Sequence, residues 1–348
     1  MFGCASEQAE RLTDEKALSL LLALLLTGML AACGNDATND SVLEAAPSES
    51  QKEETTTSET EPPAAELISI EPKFDLDAGT VTLNNGVSMP ILGIGTFALS
   101  DSEAEESVYW ALQDGYRLID TARIYGDEAG VGRGIRRAID EGFVTREEIF
   151  VTTKMWTSDY DNGDAAINAS LERLGLDYID LMILHHSQPE NDVAAYKAME
   201  QVVADGRLKA VGLSNYYDPD DFDRMVNAAS ILPAVLQNET HPYHQSADMK
   251  EHIAQYGTVL ESWFPLGGRG NTQALFNDPV ISAIAAAHGK TSAQVILRWH
   301  LQDGHIAIPG SHNEKHIQEN FDIFDFELTS EEMEQIAALN KNERLGAW

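Results

Sequence analysis

The feature that most constrains this fold is an alternation that begins near residue 73 and runs to the C-terminus. Eight short β-rich runs are separated by longer segments of helical period. The runs span 92–97 (LGIGTF), 116–120 (YRLID), 148–154 (EIFVTTK), 178–185 (YIDLMILH), 209–215 (KAVGLSN), 234–239 (AVLQNE), 258–263 (TVLESW) and 305–311 (HIAIPGS). Periodic segments such as 103–113, 164–174, 193–205 and 292–301 lie between them. Strands alternating with helices read as βαβ units on a parallel sheet. Eight units in about 270 residues is the pattern of an α/β protein of the (β/α)8 TIM-barrel type. The competing architecture, an open doubly wound sheet, needs a glycine-rich phosphate turn that is incomplete here. Gly93 and Gly95 are present, but position 98 is alanine. Ahead of the barrel, 80–90 (TVTLNNGVSMP) places apolar runs around Asn-Asn-Gly, which predicts an N-terminal β-hairpin.

Composition divides the chain into three parts. With 43% hydrophobic residues, 348 positions supply a large core. There are 57 acids against 23 Lys and Arg, a net charge of −34. Such a chain is repelled by nucleic acid and by anionic membrane surfaces, so no nucleic-acid partner is expected. Residues 1–32 contain an apolar run at 17–32 (ALSLLLALLLTGMLAA), short for a membrane span and suited to a signal-peptide core. It ends in LAAC at 30–33, followed by Gly34, a string that resembles a bacterial lipobox. That resemblance implies lipidation of Cys33 and a membrane-anchored, extracytoplasmic protein; an unprocessed N-terminus would leave it in the cytoplasm. The stretch before the run departs from the pattern, being long and not net positive. Residues 33–72 are rich in Ser, Thr, Glu and Pro, carry ten acids, and lack apolar period, so an acidic disordered tether is expected. Residues 73–348 are then the barrel domain. Cys4 and Cys33 are the only cysteines, which excludes a disulfide scaffold or a cysteine metal site in the barrel.

Chemistry in a barrel sits at the C-terminal ends of its strands. Those ends carry Asp120, Lys154, His185, Ser214, Asn215, Gln237, Trp263 and Ser311. Any one of them reads as a satisfied loop polar group. Their convergence on one face does not. A metal site from His185, His186 and His241 matches no ligand spacing, and no metal is expected.

Longer motifs carry a family resemblance. They are 115–132 (GYRLIDTARIYGDEAGVG), 146–156 (REEIFVTTKMW), 171–189 (LERLGLDYIDLMILHHSQP), 206–216 (GRLKAVGLSNY) and 308–333 (IPGSHNEKHIQENFDIFDFELTSEEM). Together they resemble the aldo-keto reductase family over about 77–345, among its members the bacterial 2,5-diketo-D-gluconate reductases. The resemblance implies an NADP-dependent oxidoreductase that reduces a small aldehyde or ketone, working as a monomer. It also implies a catalytic set of Asp120, Tyr125, Lys154 and His185. The residue types suit that chemistry. A tyrosine is a weak acid at neutral pH. A neighbouring ammonium favours its phenolate, so Lys154 is expected to lower the Tyr125 pKa while Asp120 holds Lys154. His185 can orient a carbonyl oxygen.

For the cofactor, the resemblance implies that Ser214, Asn215 and Gln237 hold the nicotinamide carboxamide and that Trp263 stacks on its ring. Leu266 and Gly267 fall near the pyrophosphate, and Ser311, His316, Glu319 and Asn320 around the adenosine. Gly95 and Thr96 are further expected cofactor contacts. Phe97, Trp156 and His186 are expected to line the substrate pocket. Two departures bear on the cofactor. Gly310 and His316 stand where relatives often carry a lysine and an arginine that contact the 2′-phosphate. Lys315, Ser311 and a helix N-terminus offer partial compensation. NADPH is therefore the first expectation, with NADH also accepted. His186 stands where many relatives have tryptophan, and Leu236 where asparagine is frequent. The alternative function is a lipid-anchored, non-catalytic barrel binding a ligand or partner at the cell surface. The complete catalytic set weighs against it.

Overall fold

The computed structural model describes residues 71–268 and 270–346, all within the unit Ala64–Trp348. The expected signal segment 1–32, Cys33 and all but the last two residues of the expected tether 33–72 lie outside the described residues. Among the described residues no helix is long and apolar enough to cross a membrane.

Strands β1 (Lys73–Asp75), β2 (Thr80–Thr82) and β3 (Ser88–Pro90) form an antiparallel meander. The expected hairpin is its β2–β3 half; β1 adds a third strand by pairing Phe74 with Val81. The Asn-Asn-Gly loop is a tight turn in which the Gly86 amide donates to the Leu83 carbonyl at 2.8 Å. Gly86 adopts φ +84, the left-handed conformation a three-residue hairpin loop requires.

Eight strands follow: β4 (Gly93–Gly95), β5 (Leu118–Asp120), β6 (Phe150–Met155), β7 (Ile179–Leu184), β8 (Leu208–Ser214), β9 (Val235–Glu239), β10 (Val259–Trp263) and β11 (Ile306–Ala307). Six lie within runs read from the sequence; β6 extends one residue past its run, to Met155, and β8 begins one residue before its run, at Leu208. Neighbours in chain order pair in parallel. A parallel bridge between Leu92 and Ala307 joins the last strand to the first, and the Gly95 amide donates to the Pro309 carbonyl at 3.1 Å. The sheet is a closed (β/α)8 barrel. Asn84 ties the meander to its base, donating from Nδ2 to the carbonyls of Pro233 (3.0 Å) and Tyr256 (3.3 Å), just ahead of β9 and β10.

Helices α1 (Asp101–Asp114), α2 (Glu128–Asp140), α3 (Gly163–Leu174), α4 (Asp192–Ala204), α5 (Pro219–Ala228) and α6 (Ala247–Ala254) follow β4 to β9 in turn. After β10 come α7 (Thr272–Phe276), α8 (Pro279–His288) and α9 (Ser292–Gln302); α10 (Glu314–Phe321) and α11 (Ser330–Ala337) follow β11. Local sequence sets several starts. Ser100 with Glu103, Thr291 with Gln294, and Thr329 with Glu332 form capping boxes at α1, α9 and α11. Between α1 and α2 the backbones nearly touch: a Cβ on Gly130 would lie 1.9 Å from the Asp101 carbonyl oxygen, so only glycine fits.

All six residues of β6 and of β7 are buried, as expected for parallel strands covered on both faces. The strands are mostly aliphatic on both faces, with Ile94, Leu118, Val151, Leu181 and Val235 at 2% exposure or less. Buried with them is a charged layer of Asp120, Lys154 and Glu261, joined by the neutral amide of Gln237. Uncompensated burial of such groups is costly, so the layer's hydrogen bonds decide what it does.

Candidate active site

Lys154 rises from β6 with no exposed surface, and its ammonium has three acceptors for three N–H bonds. It donates to Asp120 Oδ1 at 2.6 Å, to the Thr121 carbonyl at 2.9 Å and to the Tyr125 hydroxyl at 3.3 Å. The turn Arg123–Tyr125 is a short 3-10 helix that carries Tyr125 back over the barrel mouth. This brings Asp120, Tyr125 and Lys154 into one cluster. His185 follows the last residue of β7, with ring centroids 5.8 Å from Tyr125. All four expected catalytic residues therefore meet at one end of the barrel.

The electrostatics correct one expectation. Burial is the largest influence on Tyr125 and raises its pKa, while Lys154 lowers it and Asp120 raises it again; the sum is a hydroxyl pushed up to about 12. Lys154 acts in the expected direction, but desolvation of the phenolate outweighs it. Tyr125 is thus a protonated acid throughout the neutral range. Burial is the largest influence on Lys154 and lowers its pKa, but the charges of Asp120, Tyr125 and Glu261 and the Asp120 hydrogen bond together outweigh it and hold the ammonium above its usual value. His185 is pushed well below the usual imidazole value by burial, then by the charges of Lys154 and His186. It is a neutral imidazole whose Nδ1 has no partner among the described residues.

Asp120, Tyr125 and His185 floor a cleft of about 1140 Å³, with Lys154 buried behind them. Around Tyr125 its walls are Phe97, Trp156, His185 and His186. The two histidine rings stack at 5.1 Å, and Trp156 meets both edge-on. Further along, the cleft is lined by Gly95, Ser214, Asn215, Gln237, Trp263 and Leu266, and then by Ser311, His316, Glu319 and Asn320. Two expected contacts do not line it. Thr96 is buried behind the wall, its amide donating to the Asp120 carbonyl at 3.0 Å. Gly267 is a turn residue at φ +83 whose amide donates to the Phe264 carbonyl at 2.8 Å.

Asn215 sits at φ +62, which asparagine tolerates. Its Nδ2 donates to the His185 carbonyl at 2.9 Å and to Ser214 Oγ at 3.1 Å, linking the ends of β7 and β8. Gln237 reaches across the barrel: its Nε2 donates to Asp120 Oδ2 and to Glu261 Oε2, each at 2.8 Å. Its carbonyl Oε1 is left as the acceptor on a residue that lines the cleft.

A model of the "Aldo/keto reductase family" matches residues 91–341. The chain belongs to that family. Morphine 6-dehydrogenase from Pseudomonas putida is 43% identical over 281 residues, 76% of this chain and 93% of the relative. Glyoxal reductase from Bacillus subtilis is 44% identical over 270 residues, 77% of this chain and 95% of the relative. A Bombyx mori aldo-keto reductase structure in complex with NADP is 36% identical with a TM-score of 0.72, covering 76% of this chain and 94% of that one.

For this aldo-keto reductase, three parts of the site were missed from sequence. Glu261 is a fully buried carboxyl beneath Gln237; a charged residue inside the apolar run 258–263 was its visible signal. Phe264, at φ +52, joins the aromatic rim, 4.8 Å from Trp263 and 5.8 Å from Phe97. The C-terminal tail docks on Glu239, whose Oε1 accepts from the Gly346 amide at 3.1 Å; no local motif marks that contact. His241 bonds the same Glu239 at 3.1 Å, away from His185. Among the described residues no group of three or more His, Cys, Asp or Glu is placed to hold a metal.

Proposed function

We propose that this aldo-keto reductase reduces aldehydes or ketones to alcohols with NADPH, Tyr125 delivering the proton. The observation that carries the reading is the state of the Tyr125 hydroxyl. Its oxygen accepts from Lys154, its only side-chain hydrogen-bond partner among the described residues, which leaves its own O–H free to donate to a group bound in the cleft that it lines. A protonated phenol there suits proton delivery to a developing alkoxide. Lys154 stabilises the phenolate left behind, and Asp120 keeps the ammonium in place. Neutral His185 offers an N–H or a lone pair to a substrate oxygen held against Trp156. The aromatic walls exclude water from that oxygen. A non-catalytic barrel would need none of this geometry.

The far part of the cleft suits a dinucleotide. Trp263 presents an aromatic face, Gln237 an acceptor, and the α10 end the polar residues Ser311, His316 and Asn320. A bound NADPH would supply the hydride. Relatives named for morphine and for glyoxal differ greatly in substrate size, so the supported substrate class is the carbonyl group itself. Steady-state assays of the purified protein with NADPH and NADH against a carbonyl panel test the reading; no turnover of any carbonyl with either cofactor overturns it.

The 2′-phosphate contacts are the weak part of the site. Gly310 is demanded by packing, since a Cβ there would lie 2.8 Å from the Gly95 carbonyl oxygen at the barrel seam. The compensating groups are already engaged. Lys315 pairs with Glu319 at 3.2 Å, and Asn313 caps α10 by accepting from the Lys315 amide at 3.0 Å. His316→Arg is therefore expected to raise the kcat/KM ratio of NADPH over NADH about tenfold, the value of one charge-assisted hydrogen bond. An unchanged ratio would show that position 316 does not face the phosphate.

A further inference from the structure

Glu261 is the one member of the buried charged layer that the proposed chemistry does not use. It lies on β10 in register with Gln237 of β9 and Ile306 of β11. It has no exposed surface. Its Oε2 accepts from Gln237 Nε2 at 2.8 Å, and its Oε1 has no hydrogen-bond partner among the described residues. The charged groups facing it are Asp120 from β5 and Lys154 from β6; Gln237 adds a neutral amide, and Ile306 adds no charge.

Two buried carboxyls thus compete for one cation. Asp120 touches it, at 2.6 Å from Lys154 Nζ, and receives a second bond from Gln237. Glu261 receives only an amide N–H. The carboxyl in contact with the ammonium ionises, and a second charge beside it is disfavoured. An unpaired buried oxygen is also far less costly on a neutral acid than on a carboxylate.

We propose that Glu261 is a positioning residue, kept as the uncharged carboxylic acid, that fixes the Gln237 amide with its carbonyl toward the cofactor cleft. Both Gln237 N–H bonds are then held by carboxyl oxygens, one on Asp120 and one on Glu261. Only Oε1 remains for a ligand, so the cofactor must present a donor there, as a carboxamide does. The neutral state also preserves the acid. Ionised Glu261 would add a negative charge beside the Asp120–Lys154 pair and weaken Lys154's stabilisation of the Tyr125 phenolate. This inference rests on the reductase reading for its kinetic readout and stands apart from it for its spectroscopic one.

Burial, then the Asp120 charge, push Glu261 up to about 8. Carbonyl reduction with NADPH should therefore lose kcat/KM as pH rises through about 8, well below the titration of Tyr125 at about 12. In Glu261→Gln that alkaline limb should move up by at least one pH unit. Infrared spectra of the wild-type protein should show a protonated carboxylic-acid C=O band at pH 7 that disappears by pH 10 and is missing from Glu261→Gln. The same limb in both proteins, or no such band in the wild type, overturns the proposal. The band needs neither turnover nor a folded variant to be sought in the wild type. A protein that shows it without reducing any carbonyl would separate failure of the reductase reading from failure of this one.

Discussion

Tyr125→Phe is expected to lower kcat for carbonyl reduction by about 10³-fold, within the range a positioned general acid contributes. The substitution removes one oxygen and keeps the ring. Its edge contact with Phe97 at 5.1 Å and its approach to His185 at 5.8 Å survive, so the cleft should keep its shape. Lys154 loses one acceptor of three and retains Asp120 and the Thr121 carbonyl. The dissociation constant for NADPH, read by tryptophan fluorescence, should stay within about twofold, well under the tenfold that 1.4 kcal/mol represents. Near wild-type turnover would assign the proton to another group, with His185 next in line.

Lys154→Met should produce a large loss of stability. The variant leaves Asp120, 2% exposed, without its cation. Removing one partner of a buried ion pair typically costs about 3–5 kcal/mol, because the other charge stays buried. Urea midpoints at pH 7 measure it, alongside loss of turnover. The pH dependence has a definite sign. Burial already holds the folded-state pKa of Asp120 above its unfolded value against the pull of Lys154, and losing the ammonium raises it further. The native state then binds more protons than the unfolded chain, so the variant's stability falls as pH rises between those values. The variant should recover part of its deficit on acidification. A midpoint equal to wild type at pH 7 would show that the pair contributes no net stability.

The barrel and its candidate catalytic residues were legible in the sequence for related reasons. Strands buried on both faces read as short apolar runs, and each of the eight observed strands matches such a run to within one residue of its bounds or lies inside it. Residues that end a barrel strand face the mouth whatever their neighbours are, so Asp120, Lys154 and His185 could be read off locally. The third N-terminal strand was less visible: Lys73–Asp75 is short and recruited by pairing with β2, not by a motif of its own.

The sequence by itself determined the (β/α)8 order, the hairpin loop, the helix caps and the residues that reach the mouth. Each depends on residues near one another in the chain. The tertiary structure alone decided what happens across the barrel. Gln237 joins Asp120 and Glu261 over separations of 117 and 24 residues, contacts that exist only once the ring closes. Closure also set the sign of the Tyr125 shift, because the surrounding walls bury the phenol more strongly than Lys154 favours its anion. It fixed Gly310 at a seam where two backbones meet, and it moved Thr96 and Gly267 out of the cleft. Desolvation and cross-barrel distance are properties of the packed molecule, and no local pattern encodes them.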